Sequence, residues 1–178
     1  MRVVSGTLKG RRFSPPESFE ARPTTDFAKE NLFNILCNFV NFDEVKVLDL
    51  FGGSGGITYE FASRGCTNIT CIEKDPRNQR FIAKTIADFN ISNCARCLRA
   101  DALQYITHTQ EKYDIIFADP PYSLPEVDSL PDNIIQKGLL SADGFFVLEH
   151  SNTGRFATHP NLWQARTYGK VNFTFFRP

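Results

Sequence analysis

The tetrapeptide Asp119-Pro120-Pro121-Tyr122 follows directly on the apolar run Ile115-Ile116-Phe117-Ala118. Each proline fixes its own φ and carries no backbone N–H, so the carbonyls of this turn face a cleft without competing donors. A carboxylate beside such a carbonyl is suited to accepting the two N–H bonds of an exocyclic amino group on a planar base. That amine is a weak nucleophile because its lone pair is delocalised into the ring. Two fixed acceptors rehybridise the lone pair and aim it at an electrophilic methyl. Tyr122 is suited to stacking on the base. The proton leaves after transfer, and the scheme calls for no metal. The plain alternative is a turn after a strand, so the assignment depends on whether the chain also builds a pocket for a methyl donor.

Such a pocket is expected at the carboxyl ends of parallel strands, where ligands bind in open α/β sheets. Four consecutive strand ends carry an acid here: Asp49, Glu73, Asp101 and Asp119. After the first comes Leu50-Phe51-Gly52-Gly53-Ser54-Gly55, a turn that permits close backbone approach to a bulky ligand. No placement of its glycines matches the dinucleotide fingerprint. Glu73, with Lys74 beside it, lies 18 residues past Gly55, near the ~20-residue distance at which an acid meets ribose hydroxyls. Its plainer role is a helix cap or surface acid. Asp101-Ala102 is placed to receive an adenine amino group and ring nitrogen. The ensemble describes a nucleoside pocket beside a sulfonium methyl, with S-adenosyl-L-methionine as the cofactor.

The elements that must position these groups are legible from periodicity. A helix starting at Thr25 or Asp26 places Leu32, Ile35, Leu36 and Phe39 on one face. Strands are expected over 45–51, 68–73, 95–100, 113–119 and 144–149, and helices after the glycine turn and over about 76–89, 101–109 and 126–138. This alternation predicts a mostly parallel sheet with helices on both faces. Trp163 to Tyr168 and Val171 to Arg177, around Gly169-Lys170, read as an antiparallel hairpin closing one sheet edge, a feature of Rossmann-like methyltransferases. At 178 residues the chain fits one main domain. We divide it into a leader over 1–22, with two short strands around a turn, and a body over 23–178.

Net charge is zero, from 20 Lys and Arg against 20 Asp and Glu, so any affinity for nucleic acid must be local. Arg2, Lys9, Arg11 and Arg12 fall in the first twelve residues with no acid among them, and Arg22 follows after Glu17 and Glu20. These five are the candidate RNA contacts; an ordinary solvated hairpin is the competing reading. No apolar run reaches the ~20 residues of a membrane span, and Met1 to Gly6 lacks a signal-peptide core, which reads as a cytoplasmic protein. Five cysteines are an odd count for a disulfide framework. Cys94-Ala95-Arg96-Cys97 has the spacing of half a zinc site, but Cys66 and Cys71 do not complete a zinc ribbon. Buried small residues beside a strand are the reading preferred.

Arg2-Val3-Val4-Ser5-Gly6 with Lys9-Gly10-Arg11-Arg12, then Arg22-Pro23-Thr24-Thr25-Asp26 with Glu30 and Leu32-Phe33-Asn34, and finally the tetrapeptide, resemble the RsmD family of bacterial 16S rRNA guanine-N2 methyltransferases nearly end to end. The resemblance implies a Rossmann-like class I S-adenosylmethionine-dependent fold with a seven-stranded sheet, a C-terminal antiparallel hairpin and an N-terminal β-hairpin. It implies that Asp49 to Gly55 border the methionine and sugar of the cofactor, Glu73 the ribose, and Asp101 and Ala102 the adenine. Thr24 would lie near the methionine end, Asp119 to Tyr122 would be catalytic, and Glu149 would face substrate or be a surface acid. The partner implied is 16S ribosomal RNA, expected within a small-subunit assembly particle and met by a monomer. Gly53 stands where alanine is common in the family.

Three rival functions remain in view. The tetrapeptide alone does not separate guanine-N2 from adenine-N6 or amide methylation, although a DNA enzyme usually needs an added domain to read base edges. A non-catalytic RNA-binding module would carry a damaged site, and a nicotinamide-dependent oxidoreductase is opposed by the glycine spacing. A base in paired nucleic acid must be unstacked to reach the pocket, favouring a loop or single strand.

Overall fold

The computed structural model describes residues 1–15 and 25–178. The segment Arg22-Pro23-Thr24, with its expected RNA and cofactor contacts, lies outside them. Five parallel strands, β1 Lys46–Asp49, β2 Asn68–Glu73, β3 Ala95–Arg99, β4 Tyr113–Ala118 and β5 Leu140–His150, join an antiparallel pair, β6 Leu162–Tyr168 and β7 Val171–Phe176, in the order β3-β2-β1-β4-β5-β7-β6. The expected seven-stranded Rossmann-like sheet with a terminal hairpin is what forms. The order reverses between β1 and β4, which makes the cleft above these two strands the ligand position. No described helix is long and apolar enough to cross a membrane.

Helices cover both faces. α1 Asp26–Leu36, α2 Gly56–Ser63 and α3 Pro76–Asp88 bury Leu32, Phe33, Phe61 and Ile82 against Val47, Phe117, Val147 and Phe175. α4 Ala102–His108 and α5 Leu130–Gln136 bury Ile106, Leu130 and Ile134 against Leu48, Ile116, Phe146 and Leu148 on the other face. Side chains alternate between the two faces of a strand, so a parallel strand buried on both reads as a continuous apolar run. Caps set the helix starts: Thr25 Oγ1 accepts from Ala28 N at 3.2 Å, and Asp75 Oδ1 accepts from Arg77 N at 2.7 Å just before Pro76.

Three expectations are refined. The helix expected over 126–138 divides into a 3-10 turn, Pro125–Ser129, and α5. Pro131 lacks an N–H, and its ring would meet the Val127 carbonyl of a continuous helix, so α5 restarts with Pro131 in its first turn. β5 begins at Leu140 rather than Gly144, because Leu140 pairs with Tyr113 and 141–144 bulge out before Phe145 meets Ile115. Phe39 is not on the buried face of α1. It lies beyond the helix, 42% exposed, with its ring 4.6 Å from that of Trp163.

Residues 1–13 double back as a hairpin, but among the described residues their pairing is one antiparallel bridge, Arg2↔Arg12, rather than two strands. The reason is competition for donors. The N–H groups of Val4, Thr7 and Leu8 go to the Glu60 carboxylate, the Ser63 carbonyl and the Ser63 hydroxyl of α2. Val3 and Phe13 are buried beside α1 and α2 in the same core. With sheet beneath and leader above, every α2 residue from Ile57 to Ser63 is buried.

That burial isolates two carboxylates. Glu60 is enclosed with the Lys29 ammonium 3.6 Å away and Arg64 in direct contact; Lys29 also donates to Arg2 O at 2.7 Å. Removing one partner of a buried pair leaves the other charge uncompensated, at a cost of about 3–5 kcal/mol. We expect Glu60→Ala to lose stability of that order in urea denaturation; a loss below about 1 kcal/mol would place Glu60 among surface pairs. Asp49 Oδ2 accepts from Thr58 Oγ1 at 2.8 Å, while Oδ1 is buried without a described partner. Burial raises the Asp49 carboxyl to about 6, with the Glu73 charge adding to it. A folded pKa above the unfolded value of about 3.9 favours the native state below pH 4 and withdraws that advantage as pH rises through 6. Asp49→Asn, which keeps an acceptor for Thr58, should therefore gain stability relative to wild type between pH 4 and 7, by about 3 kcal/mol at most. A stability difference between the two proteins that does not change with pH would contradict the buried-acid account.

Candidate active site

At the carboxyl edge, β1 sits between β2 and β4, with Asp49 level with Cys71 on one side and Phe117 on the other. Glu73 and Asp119 each lie two residues further along. With strands about 4.8 Å apart, the two acids rise on either side of β1 at a separation of about 10 Å. Between and above them is a cavity of 570 Å³, within the range of sites that hold small molecules. One end is lined by Phe51, Gly53, Glu73, Lys74, Asp101 and Ala102, and the other by Asp119, Pro120, Pro121 and Tyr122.

Glu73 fixes the shape of the first end. Its Oε2 accepts from Gly53 N at 2.8 Å and its Oε1 from Asp75 N at 2.7 Å, so one carboxylate ties the glycine turn to the start of α3. Burial raises its carboxyl above the usual range, although these backbone donors oppose the shift. Each oxygen retains a lone pair for a hydroxyl donor. Asp101 caps α4, with Oδ1 accepting from Leu103 N at 3.0 Å and Gln104 N at 3.2 Å, while Oδ2 meets Lys74 Nζ at 2.9 Å. The Lys74 ammonium holds the Asp101 carboxyl below its ordinary value. Lys74 itself is 78% exposed along its side chain, so its clearest work is to keep Asp101 ionised. Beside it, the N–H of Ala102 belongs to the first turn of α4, which leaves donors without intrahelical partners.

Four residues expected to border the cofactor are not among those lining the cavity. Asp49 is buried on Thr58 as described, and Ser54 is buried as well. Gly52 N donates to Ile72 O at 2.8 Å, and a Cβ at Gly52 would meet Cys71 Sγ at 2.5 Å, so the turn passes too close to β2 for any side chain. Gly55 caps α2 at φ +81°, where a Cβ would also strike the Tyr59 hydroxyl. These residues set the height and path of the turn, and Phe51 and Gly53 present it to the cavity.

Leu50, Ile72, Asn78, Ala100, Leu103 and Leu124 also line the cavity and were not singled out in the sequence. Leu50, Ile72 and Ala100 read as the last core residues of their strands. The signal for Asn78 was its place three residues after the Asp75 cap. Of the leader cations, Arg2 Nε meets Asp26 Oδ2 at 2.8 Å, and Arg11 Nη2 donates to Asp88 O at 2.9 Å at the far end of α3. Lys9 sits on the turn that packs at the end of α2, away from the cavity; Arg12 is exposed opposite Arg2. Glu149 is buried at the end of β5. Cys94 donates to Ile91 O at 3.3 Å, and Cys97 is level with Cys71 across β3 and β2.

The family described as "Conserved hypothetical protein 95" matches residues 1–177. A curated relative from Buchnera aphidicola subsp. Baizongia pistaciae, "Ribosomal RNA small subunit methyltransferase D", is 30% identical over 164 residues, covering 92% of this chain and 83% of the relative. The solved structure of yhhF from Escherichia coli superposes with a TM-score of 0.86 at 28% identity, covering 99% of this chain and 96% of that one. SMU.776, solved in complex with SAH, shares the fold at a TM-score of 0.67 and 15% identity, over 84% of this chain and 49% of that one. The chain therefore belongs to the Conserved hypothetical protein 95 family, the RsmD family that its motifs resemble.

Proposed function

We propose that the protein transfers the methyl group of S-adenosyl-L-methionine to the exocyclic N2 of a guanine in 16S ribosomal RNA. The observation that carries this reading is a single cavity with a nucleoside-type acceptor set at one end and Asp119-Pro120-Pro121-Tyr122 at the other. Family membership and the activity in the name of the Buchnera relative support it.

The residues present suit the cofactor. Glu73 has acceptor capacity for ribose hydroxyls, and three of the roughly four acceptor positions of Asp101 are engaged, leaving one for an adenine amino group. The Ala102 N–H is suited to a ring nitrogen, and Leu103 and Ile72 offer apolar surface to the ring. When bound, S-adenosyl-L-methionine supplies an electrophilic sulfonium methyl. The chain's own part is positioning. The Asp119 carboxylate and Pro120 carbonyl accept the two N–H bonds of the amine, and Tyr122, 66% exposed at the cavity mouth, stacks on the base. Restricting the amine to one orientation beside the donor removes much of the orientational entropy from the barrier.

The test pairs catalysis with cofactor binding. Asp119→Ala should lower methyl transfer to ribosomal RNA by at least about 100-fold while leaving S-adenosylhomocysteine affinity in calorimetry unchanged. Undiminished turnover in the variant would sink the mechanism, and NAD binding without S-adenosylhomocysteine binding would sink the reading itself.

A further inference from the structure

The carboxyl edge of the sheet continues beyond the cavity. Ala118 on β4 is level with Leu148 on β5, His150 on β5 with Asn172 on β7, and Tyr168 on β6 with Val171. The Gly169-Lys170 turn therefore emerges on the same edge as the tetrapeptide. Two to three strand spacings of about 4.8 Å place it about 10–15 Å from Asp119. α1 begins at this point, and the ring of Phe27 meets that of Tyr168 at 6.1 Å, edge to face.

Phe27 is 64% exposed; with Tyr122 at 66%, it is one of the two most exposed large apolar side chains among the described residues. The core does not require it, because α1 buries Ala28, Leu32, Phe33 and Leu36. An edge-on neighbour fixes the ring's orientation while leaving most of its surface open. Cationic residues lie on the segments beside it. Lys170 is exposed and has no ion pair among the described residues. Arg2 neutralises Asp26 next to Phe27, and Arg12 stands exposed across the Arg2 bridge. An exposed ring beside a cationic turn suits a polyanion with flat bases better than a neutral protein surface.

We propose that Phe27, held by Tyr168 beside the Gly169-Lys170 turn, stacks on a base of single-stranded RNA that flanks the target nucleotide. At about 3.4 Å per stacked nucleotide, the distance from Asp119 to the Gly169-Lys170 turn beside Phe27 corresponds to three or four nucleotides. The proposal rests on the RNA methyltransferase reading and adds to it a second fixed point on the substrate strand. Two anchored bases orient the strand, whereas one leaves it free to pivot about the cavity mouth.

Phe27→Ala, Phe27→Trp and Lys170→Gln test this, each titrated with fluorescently labelled single-stranded RNA by polarisation and with S-adenosylhomocysteine by calorimetry. Phe27→Ala should weaken RNA binding about tenfold and Phe27→Trp should retain it. Lys170→Gln should reduce the slope of log K against log salt by about 0.7. S-adenosylhomocysteine affinity should be unchanged in all three. RNA affinity unaltered by Phe27→Ala, or lost equally in Phe27→Trp, overturns the proposal, as does a wild-type protein that binds no RNA. Failure of the wild type to bind S-adenosylhomocysteine would instead overturn the methyltransferase reading.

Discussion

The Glu73 carboxylate accepts one hydrogen bond from the glycine turn and one from the start of α3, and the cavity depends on that bridge. Without it the Gly53 N–H and the Asp75 N–H would each need another partner in a partly buried setting, where an unmade hydrogen bond costs about 1–3 kcal/mol. The bridge holds the turn open above β1. Below it, Gly52 packs against Cys71 with no room for a Cβ, so the turn is fixed from both sides. A carboxylate that builds the pocket wall can also receive ligand hydroxyls, because two backbone donors do not exhaust its acceptors.

Strand order turns that local arrangement into a division of labour. The reversal between β1 and β4 puts the nucleoside-type acceptors on the β2 and β3 side and the proline turn on the β4 side. Pro120 and Pro121 cannot donate to a neighbouring strand, which ends the ladder and releases Tyr122 to the surface. α2, enclosed by sheet and leader, is the least exposed helix at this edge and supports the turn through Thr58 and Asp49. The described part of the leader thus packs on the helix that supports the turn.

Much of this was legible in the chain. Strand ends stood out because parallel strands buried on both faces run apolar until an acid, as in Ile69 to Glu73 and Ile115 to Asp119. The gaps between strands marked helices over about 76–89 and 101–109, and the structure caps their starts with Asp75 and Asp101. What stayed hidden depends on contacts between distant segments. Sequence placed Asp49, Gly52, Ser54 and Gly55 beside the cofactor, and proximity along the chain does not say which residues of a turn line the cavity. Leu50 and Ile72 read as core because a cavity wall and a core have the same composition. The leader read as two strands because nothing local shows that Glu60 and Ser63 take its backbone donors. Pro131 and the 141–144 bulge needed the neighbouring element for their effect to appear.

The tetrapeptide supports methylation of a planar amine, while the identity of the base rests on family membership. The most direct test is to incubate the protein with isotopically labelled S-adenosyl-L-methionine and either deproteinised 16S ribosomal RNA or partly assembled small subunits, then digest the RNA and identify the labelled nucleoside by mass spectrometry. The account predicts label in N2-methylguanosine. Label in N6-methyladenosine, or no transfer to either RNA form, would contradict it.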